Sequence, residues 1–292
     1  MAVITNMATL TYRGTVVNSN VTEGELLTTL SATKTAVSST YAQGEPIAYV
    51  ISLVNTGTAA LTDVTVTDDL GAYEIGGVTR TPLTYADGTL RYFVNGTPEP
   101  APTVEAGPPL TVSGITVPAG GNVALVYAAT PNGFAPLAEG STITNEITVT
   151  GRCNACPVTA SETVPVREAP LLSIAKAMSP TVVTENGEIT YTLTISNSGN
   201  EDAVATDDVV VSDTFDPRLG GITVTLNGEV LTEGADYTYD EESGAFATAA
   251  GRINVPAASF TQDPVTGEQT VVPGTATLVI VGTVIGCVSP TP

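Results

Sequence analysis

Apolar and polar residues alternate with a period of two along most of this chain. The pattern is clearest from Ile47 to Leu53, Val123 to Ala129, Ile143 to Val149, Ile189 to Ile195 and Ala276 to Val284. Such alternation sends successive side chains to opposite faces of a strand, so one face of each run goes to a core. Clusters of Gly, Pro, Asn and Asp interrupt the runs at turn positions, and no segment shows the apolar spacing of a helix. The expected fold is all-β, with short strands packed as sandwiches.

The pattern also repeats on a longer scale. Residues 30–70 align with 172–215, and 21 residues separate both Lys34 from Asn55 and Lys176 from Asn197. Asn55-Thr56-Gly57 answers Asn197-Ser198-Gly199, the run Asp63–Asp68 answers Asp208–Asp213, and 120–130 answers 273–283. The chain therefore reads as two tandem sandwich domains.

The first copy closes with a strand from Ser141 to Thr150. The second is expected to lack that strand, while Val3–Thr11 matches Thr142–Thr150 almost position for position. This divides the chain into an N-terminal donor-strand arm (1–14), a first sandwich (15–150), a linker (151–168) and a second sandwich (169–292). A sandwich without its last strand exposes an edge and an open groove. The arm, through Val3, Ile4, Asn6, Ala8, Leu10 and Tyr12, would fill that groove in another copy by strand addition. Arm and groove lie at opposite ends, so the contact is heterologous and propagates into a filament. The alternative is an arm folded back into its own second domain. Residues 14–27 would reach ~43 Å at ~3.3 Å per residue, which permits it.

The faces carry unexpected polar residues. Only two lysines occur, at the same repeat position. Lys34 shares a face with Leu30, Ala32 and Ala36, and Lys176 with Leu172, Ile174 and Met178. Asn145 shares one with Ile143, Ile147 and Val149, as Asn6 does with Ile4, Ala8 and Leu10. Asp68 and Asp213 likewise follow Val64-x-Val66 and Val209-x-Val211. One Lys, one Asn and one Asp are thus aimed at each core. Burial lowers a lysine pKa, and a neutral amine is a nucleophile. A neighbouring Asp could move the proton while the amine attacks the Asn carboxamide, releasing ammonia and leaving an isopeptide bond. The alternative is a buried Lys–Asp ion pair with Asn as a hydrogen-bond partner.

Composition narrows the function classes. A net charge of -21 argues against nucleic acid and anionic membrane surfaces, both of which select for cations. It serves solubility instead. The absence of His removes the commonest general base and zinc ligand. No apolar run reaches the ~18 residues of a membrane helix, and the N-terminus lacks the basic and hydrophobic regions of a secretory signal.

The motif series, Lys34, then Gly44-Glu45-x-Ile47-x-Tyr49, Asn55-x-Gly57, Val64-x-Val66-x-Asp68 and Ile143-Thr144-Asn145, resembles the bacterial surface "conserved repeat domain" family, known as domain of unknown function eleven. The resemblance covers nearly the whole chain, twice. It implies Ig-like, collagen-adhesin-like sandwiches in which Lys34 joins Asn145 with Asp68 assisting. Lys176 would join Asn6 of the next subunit with Asp213 assisting. Members of this size also resemble clostridial spore-appendage and extracellular fibre subunits, with other fibre or spore-coat proteins as possible partners.

Three cysteines remain. Cys153 and Cys156 lie in the expected linker and Cys287 near the C-terminus. Three thiols without His do not make a zinc site; an odd count suggests pairing between molecules, against a reading as inert thiols. Acidic clusters such as Asp68-Asp69, Asp207-Asp208 and Asp240-Glu241-Glu242 lack the spacing of a calcium loop and read as solvated turns. No metal, cofactor or catalytic set for an external substrate is expected. The reading is a structural, self-associating fibre subunit at an extracellular or spore surface, with a monomeric adhesive or ligand-binding module as the alternative.

Overall fold

The computed structural model of the chain describes residues 2–26, 28–151 and 157–285. These fall into two units. The first holds the residues up to Pro136, Thr142–Val166 and Pro264–Gly267; the second holds Leu137–Ser141, Arg167–Asp263 and the residues from Glu268. Every strand pair within the sheets is antiparallel, as alternating sequences with short turns favour.

The first unit begins with a two-stranded ribbon. Strand β1 (Ala2–Asn6) pairs with β4 (Thr22–Leu26), and β2 (Thr9–Tyr12) pairs with β3 (Thr15–Asn18). The chain reverses at Arg13 and Gly14, with φ of 44° and 82°. Two successive positive φ values give the tight reversal whose twist suits a hairpin, and glycine adopts the second at no steric penalty. The described side chains from Val3 to Glu25 are all exposed. The boundary expected at residue 15 is corrected by this pairing: residues 15–26 belong to the ribbon, and the sandwich starts at Leu30.

The sandwich of the first unit opens with β5 (Leu30–Ala36), β6 (Ile47–Asn55) and β7 (Leu61–Asp68). Short strands follow: β8 (Tyr73–Ile75), β9 (Val78–Arg80), β10 (Leu83–Tyr85), β11 (Arg91–Val94), β12 (Thr97–Glu99) and β13 (Thr103–Glu105). Four longer ones complete it: β14 (Leu110–Val117), β15 (Asn122–Pro131), β16 (Thr142–Thr150) and β17 (Val158–Pro165). One sheet has the order β12-β11-β15-β6-β5, with β10 also on β15, and the other β13-β14-β7-β16-β17. Their inner faces meet through Tyr49, Ile51, Val66, Leu125, Ile147 and Val149, all buried.

Strand β17 corrects the expected linker. Residues 158–165 pair with β16 along its length, from Val149 opposite Val158 to Thr142 opposite Pro165. Val164 and Val166 are buried. The period-two run Val158, Ala160, Glu162, Val164 was masked by the charge at Glu162, which stays only partly covered at the inward position.

The second unit contains β18 (Leu172–Ser179), β19 (Glu188–Asn197), β20 (Ser212–Thr214), β21 (Arg218–Leu226) and β22 (Glu229–Val230). It continues with β23 (Tyr237–Asp240), β24 (Ala245–Thr248), β25 (Ser259–Gln262), β26 (Gln269–Val272) and β27 (Gly274–Ile285). Its main sheet has the order β18-β19-β27-β21-β22, joined by β20-β24-β23 and the β25-β26 hairpin. Leu193, Phe215, Val224, Phe246 and Leu278 form part of the core. The core stops short of β18, whose side chains are all exposed, Ile174 at 56% and Met178 at 45%. Where the first unit has the eight-residue β7 between β14 and β16, the matching segment here forms strand only over Ser212–Thr214.

Candidate functional site

The two Asn-x-Gly motifs are structural. The Asn55 carboxamide accepts from the Gly57 N–H at 2.9 Å and donates to the carbonyls of Ala59 and Pro118 at 2.9 and 3.0 Å. Asn197 repeats this, accepting from Gly199 and Leu171 at 2.9 Å and donating to Glu201 at 2.8 Å. A Cβ on Gly199 would sit 2.1 Å from the Ala169 carbonyl oxygen, so only glycine fits that close approach. Both turns fix the end of a strand that pairs with a lysine-bearing strand, setting its register.

In the first unit β5 carries Lys34, and Lys34 Nζ donates to Asp68 Oδ2 of β7 at 2.6 Å. Neither side chain is accessible: their exposures are 0% and 2%. The two strands belong to opposite sheets, so the contact spans the sandwich. The Tyr127 hydroxyl of β15 donates to the same Asp68 oxygen, and Asn145 Nδ2 of β16 donates to the Tyr127 hydroxyl at 3.3 Å. Asp68 Oδ1 accepts from the Leu70 N–H at 2.9 Å. The ammonium also lies 5.0 Å from the Tyr49 ring centroid and 6.0 Å from that of Tyr127.

Burial lowers the Lys34 pKa below its ordinary value, with the attraction of Asp68 opposing it. Desolvation penalises the ammonium more than the carboxylate restores, which moves the pair toward a neutral amine. Burial raises the Tyr49 and Tyr127 hydroxyls, which stay protonated. The Asn145 carboxamide acts on both phenols, opposing the rise that burial imposes on each. Chemically, the site holds a desolvated amine, a carboxylate able to take its proton and a carboxamide linked to that carboxylate through a phenol.

Tyr49 stands in the motif series without a role at the site, and Tyr127 was not singled out from the sequence. Tyr49 and Tyr191 each follow a lysine by 15 residues, a signal available in a chain with few aromatics. Tyr127 carries no such signal, because its counterpart opposite Tyr191 is Ile280.

In the second unit Lys176 Nζ pairs with Asp213 Oδ2, and lies 4.5 Å from the Tyr191 centroid and 5.2 Å from that of Phe215. The ion pair and the ring of Tyr191 repeat the first site, but Ile280 stands where Tyr127 would be, and the Lys176 side chain is 40% exposed and that of Asp213 18%. The expectation that this lysine is buried in its core is corrected accordingly. Among the described residues no strand of this unit stands where β16 and β17 stand in the first, and no asparagine completes the set. Asn6, Ile4, Leu10 and Tyr12 are exposed on the ribbon.

Cys153, Cys156 and Cys287 lie outside the described residues. The acidic turns are engaged locally: Asp69 accepts from the Gly71 and Glu146 N–H groups, and Asp240 from Glu242 and Ser243. Among the described residues no His, Cys, Asp and Glu group could hold a metal ion, and no helix is long and apolar enough to cross a membrane.

No family model matches the chain, and no curated protein matches it. Among solved structures it is similar to the pilus backbone of Streptococcus pneumoniae, at 14% identity over 84% of this chain and 55% of that one, with a TM-score of 0.34. It is also similar to the major pilin subunit of Bacillus cereus, at 12% identity over 92% and 73%, TM-score 0.36. The collagen-binding subdomain of the Enterococcus faecalis surface protein ACE matches at 7% identity over 49% of this chain and 99% of that one, TM-score 0.31. The chain thus spans about half the length of the pneumococcal protein.

Proposed function

We propose that the chain is a structural subunit of an extracellular or spore-surface filament. It polymerises head to tail: the N-terminal ribbon of one copy completes the second unit of the next, and Lys–Asn isopeptide bonds reinforce both units. The observation that carries this reading is the contrast between two matched sites. Lys34 and Asp68 are sealed beneath β16 and β17, with Asn145 in place. Lys176 and Asp213 form the equivalent pair, with Tyr191 at the place of Tyr49, yet lie open where the cover and the asparagine would be. The Val3–Thr11 segment carries the matching residues, with Asn6 at the position of Asn145.

The chemistry in the first unit would use its own side chains. The Lys34 amine, its proton passed to Asp68, attacks the Asn145 carboxamide carbon. The new N–C bond forms as the bond from that carbon to the Asn145 amide nitrogen breaks, and the one proton the attacking amine then sheds joins the departing NH2 group to give ammonia, Asp68 keeping the first. Water exclusion favours the neutral reactants. In a filament, Lys176 and Asn6 of the neighbouring copy would react in the same way once docking had buried them.

Imaging the purified protein after incubation tests the assembly. Filaments are expected from the full chain, and monomers from a chain lacking residues 1–26. Discrete monomers from the full chain would return the reading to a monomeric surface module. Intact-mass measurement tests the bonds: each formed bond removes one ammonia, and an unchanged mass means a buried ion pair only.

A further inference from the structure

In the first unit the closing element is not one strand but two. Strand β16 pairs with β7, from Ile147 opposite Asp68 to Thr150 opposite Thr65, while β17 continues around toward the β5 side. There Tyr41 donates its N–H to the Pro165 carbonyl at 3.0 Å and bridges Val166. Of the two it is β17 that lies beside β5, so a donor replacing β16 alone would leave the β5 side uncovered. Removing both would leave what the second unit displays, a first strand with all side chains exposed.

The ribbon is a hairpin of the same reach, its outer strand shifted by one residue between Thr22 opposite Asn6 and Asn18 opposite Thr9. Asn145 stands opposite Glu162 and Val149 opposite Val158; Asn6 stands opposite Thr22 and Leu10 opposite Val17. The inner strands correspond residue for residue, and the outer strand of the ribbon reaches as far as β17 does. Its apolar residues Val16, Val17 and Val21 are exposed, although a free-standing two-stranded ribbon is marginal in water.

Resting on the filament reading above, we infer that the donated element is the whole hairpin, residues 2–26, and that its recipient is a second copy of this chain. The inner strand, Ala2–Tyr12, takes the place of β16 against residues 208–213. The outer strand, Thr15–Leu26, takes the place of β17 along β18. The hairpin enters already paired, so docking does not require β1 to leave β4.

A disulfide across the hairpin tests this. Thr5 and Glu23 are Cα partners in adjacent strands and alternate with Ile4 and Asn6, the residues that docking would turn toward the recipient. A chain carrying Thr5→Cys and Glu23→Cys is compared oxidised and reduced, beside wild type under both conditions to account for the native cysteines. Assembly of the oxidised variant at a rate within about twofold of wild type is the expected result. Assembly only after reduction would overturn hairpin donation in favour of a single strand. Val17→Asp, on the outer strand, provides the second measurement: assembly slowed tenfold or more is expected, and an unchanged rate counts against an outer-strand role. Failure of wild type to form filaments at all would instead remove the filament reading on which this inference rests.

Discussion

A lysine with no accessible side-chain surface, held by one carboxylate, is sensitive to the loss of that partner. Asp68→Ala would strand the amine in an apolar interior at about 3–5 kcal/mol of unfolding free energy, the usual penalty for breaking a buried pair. Asp213→Ala removes a pair whose lysine is 40% exposed, and about 0–1 kcal/mol is expected. Chemical denaturation of each variant, assembly being prevented by deletion of residues 1–26, checks the contrast; equal losses would mean that the two sites are equally buried. The bond itself has a separate signature. A link from Lys34 to Asn145 closes a loop of 111 residues, and loop-closure entropy alone would stabilise the unit by about 4–5 kcal/mol. Asn145→Ala is expected to lose at least that, together with the ammonia deficit in its mass. Tyr127→Phe removes the hydroxyl between Asp68 and Asn145 while keeping the ring. Ammonia loss, followed from synthesis onward, should slow tenfold or more in this variant, whereas cross-linking at Lys176, with Ile280 at the equivalent place, should keep its rate.

At the level of strands, the period-two runs and their repetition made most of the fold legible. Lys34, Asp68 and Asn145 were placed on inward faces by alternation alone, and they share one buried network. What escaped was structure that depends on pairing rather than on pattern. Strand β17 has Glu162 at an inward position, and β3 and β4 read as connection because their polar composition hides a hairpin fixed by Arg13-Gly14. Tyr127 escaped because its role arises from contact between three strands far apart in sequence. The segment 208–214 shows the same dependence in reverse. Its sequence matches β7, yet only Ser212–Thr214 is strand, because a strand needs neighbours for its backbone groups and the counterpart of β16 is missing beside it. Docking of a donor should supply that neighbour. Amide hydrogen exchange at Val209 and Val210 is therefore expected to slow by tenfold or more on assembly, along with that of β18. Unchanged exchange at both would mean that the donor sits elsewhere.

For the molecule as a whole, the net charge of -21 bears on how copies meet. Like-charged chains repel over distances comparable to the Debye length, ~30 Å at 0.01 M salt and ~10 Å at 0.1 M. The ribbon departs from that average, with one arginine and two glutamates in its first 26 residues, so under the proposed docking the hairpin would contribute little of the repulsion and the rest of the chain most. Association limited by that long-range term should accelerate with ionic strength, by roughly tenfold between 0.01 and 0.1 M, the opposite of the slowing seen when steering is attractive. Once Lys176 and Asn6 have joined, salt should no longer matter, because a covalent bond is not screened. Asn6→Ala separates the two stages. Its filaments should form with the same salt-accelerated kinetics as wild type, since the hairpin and its apolar residues are intact, yet fall apart into single chains in hot detergent where wild-type filaments persist. Persistence of the Asn6→Ala filaments under those conditions would show that something other than the lysine–asparagine bond holds the copies together.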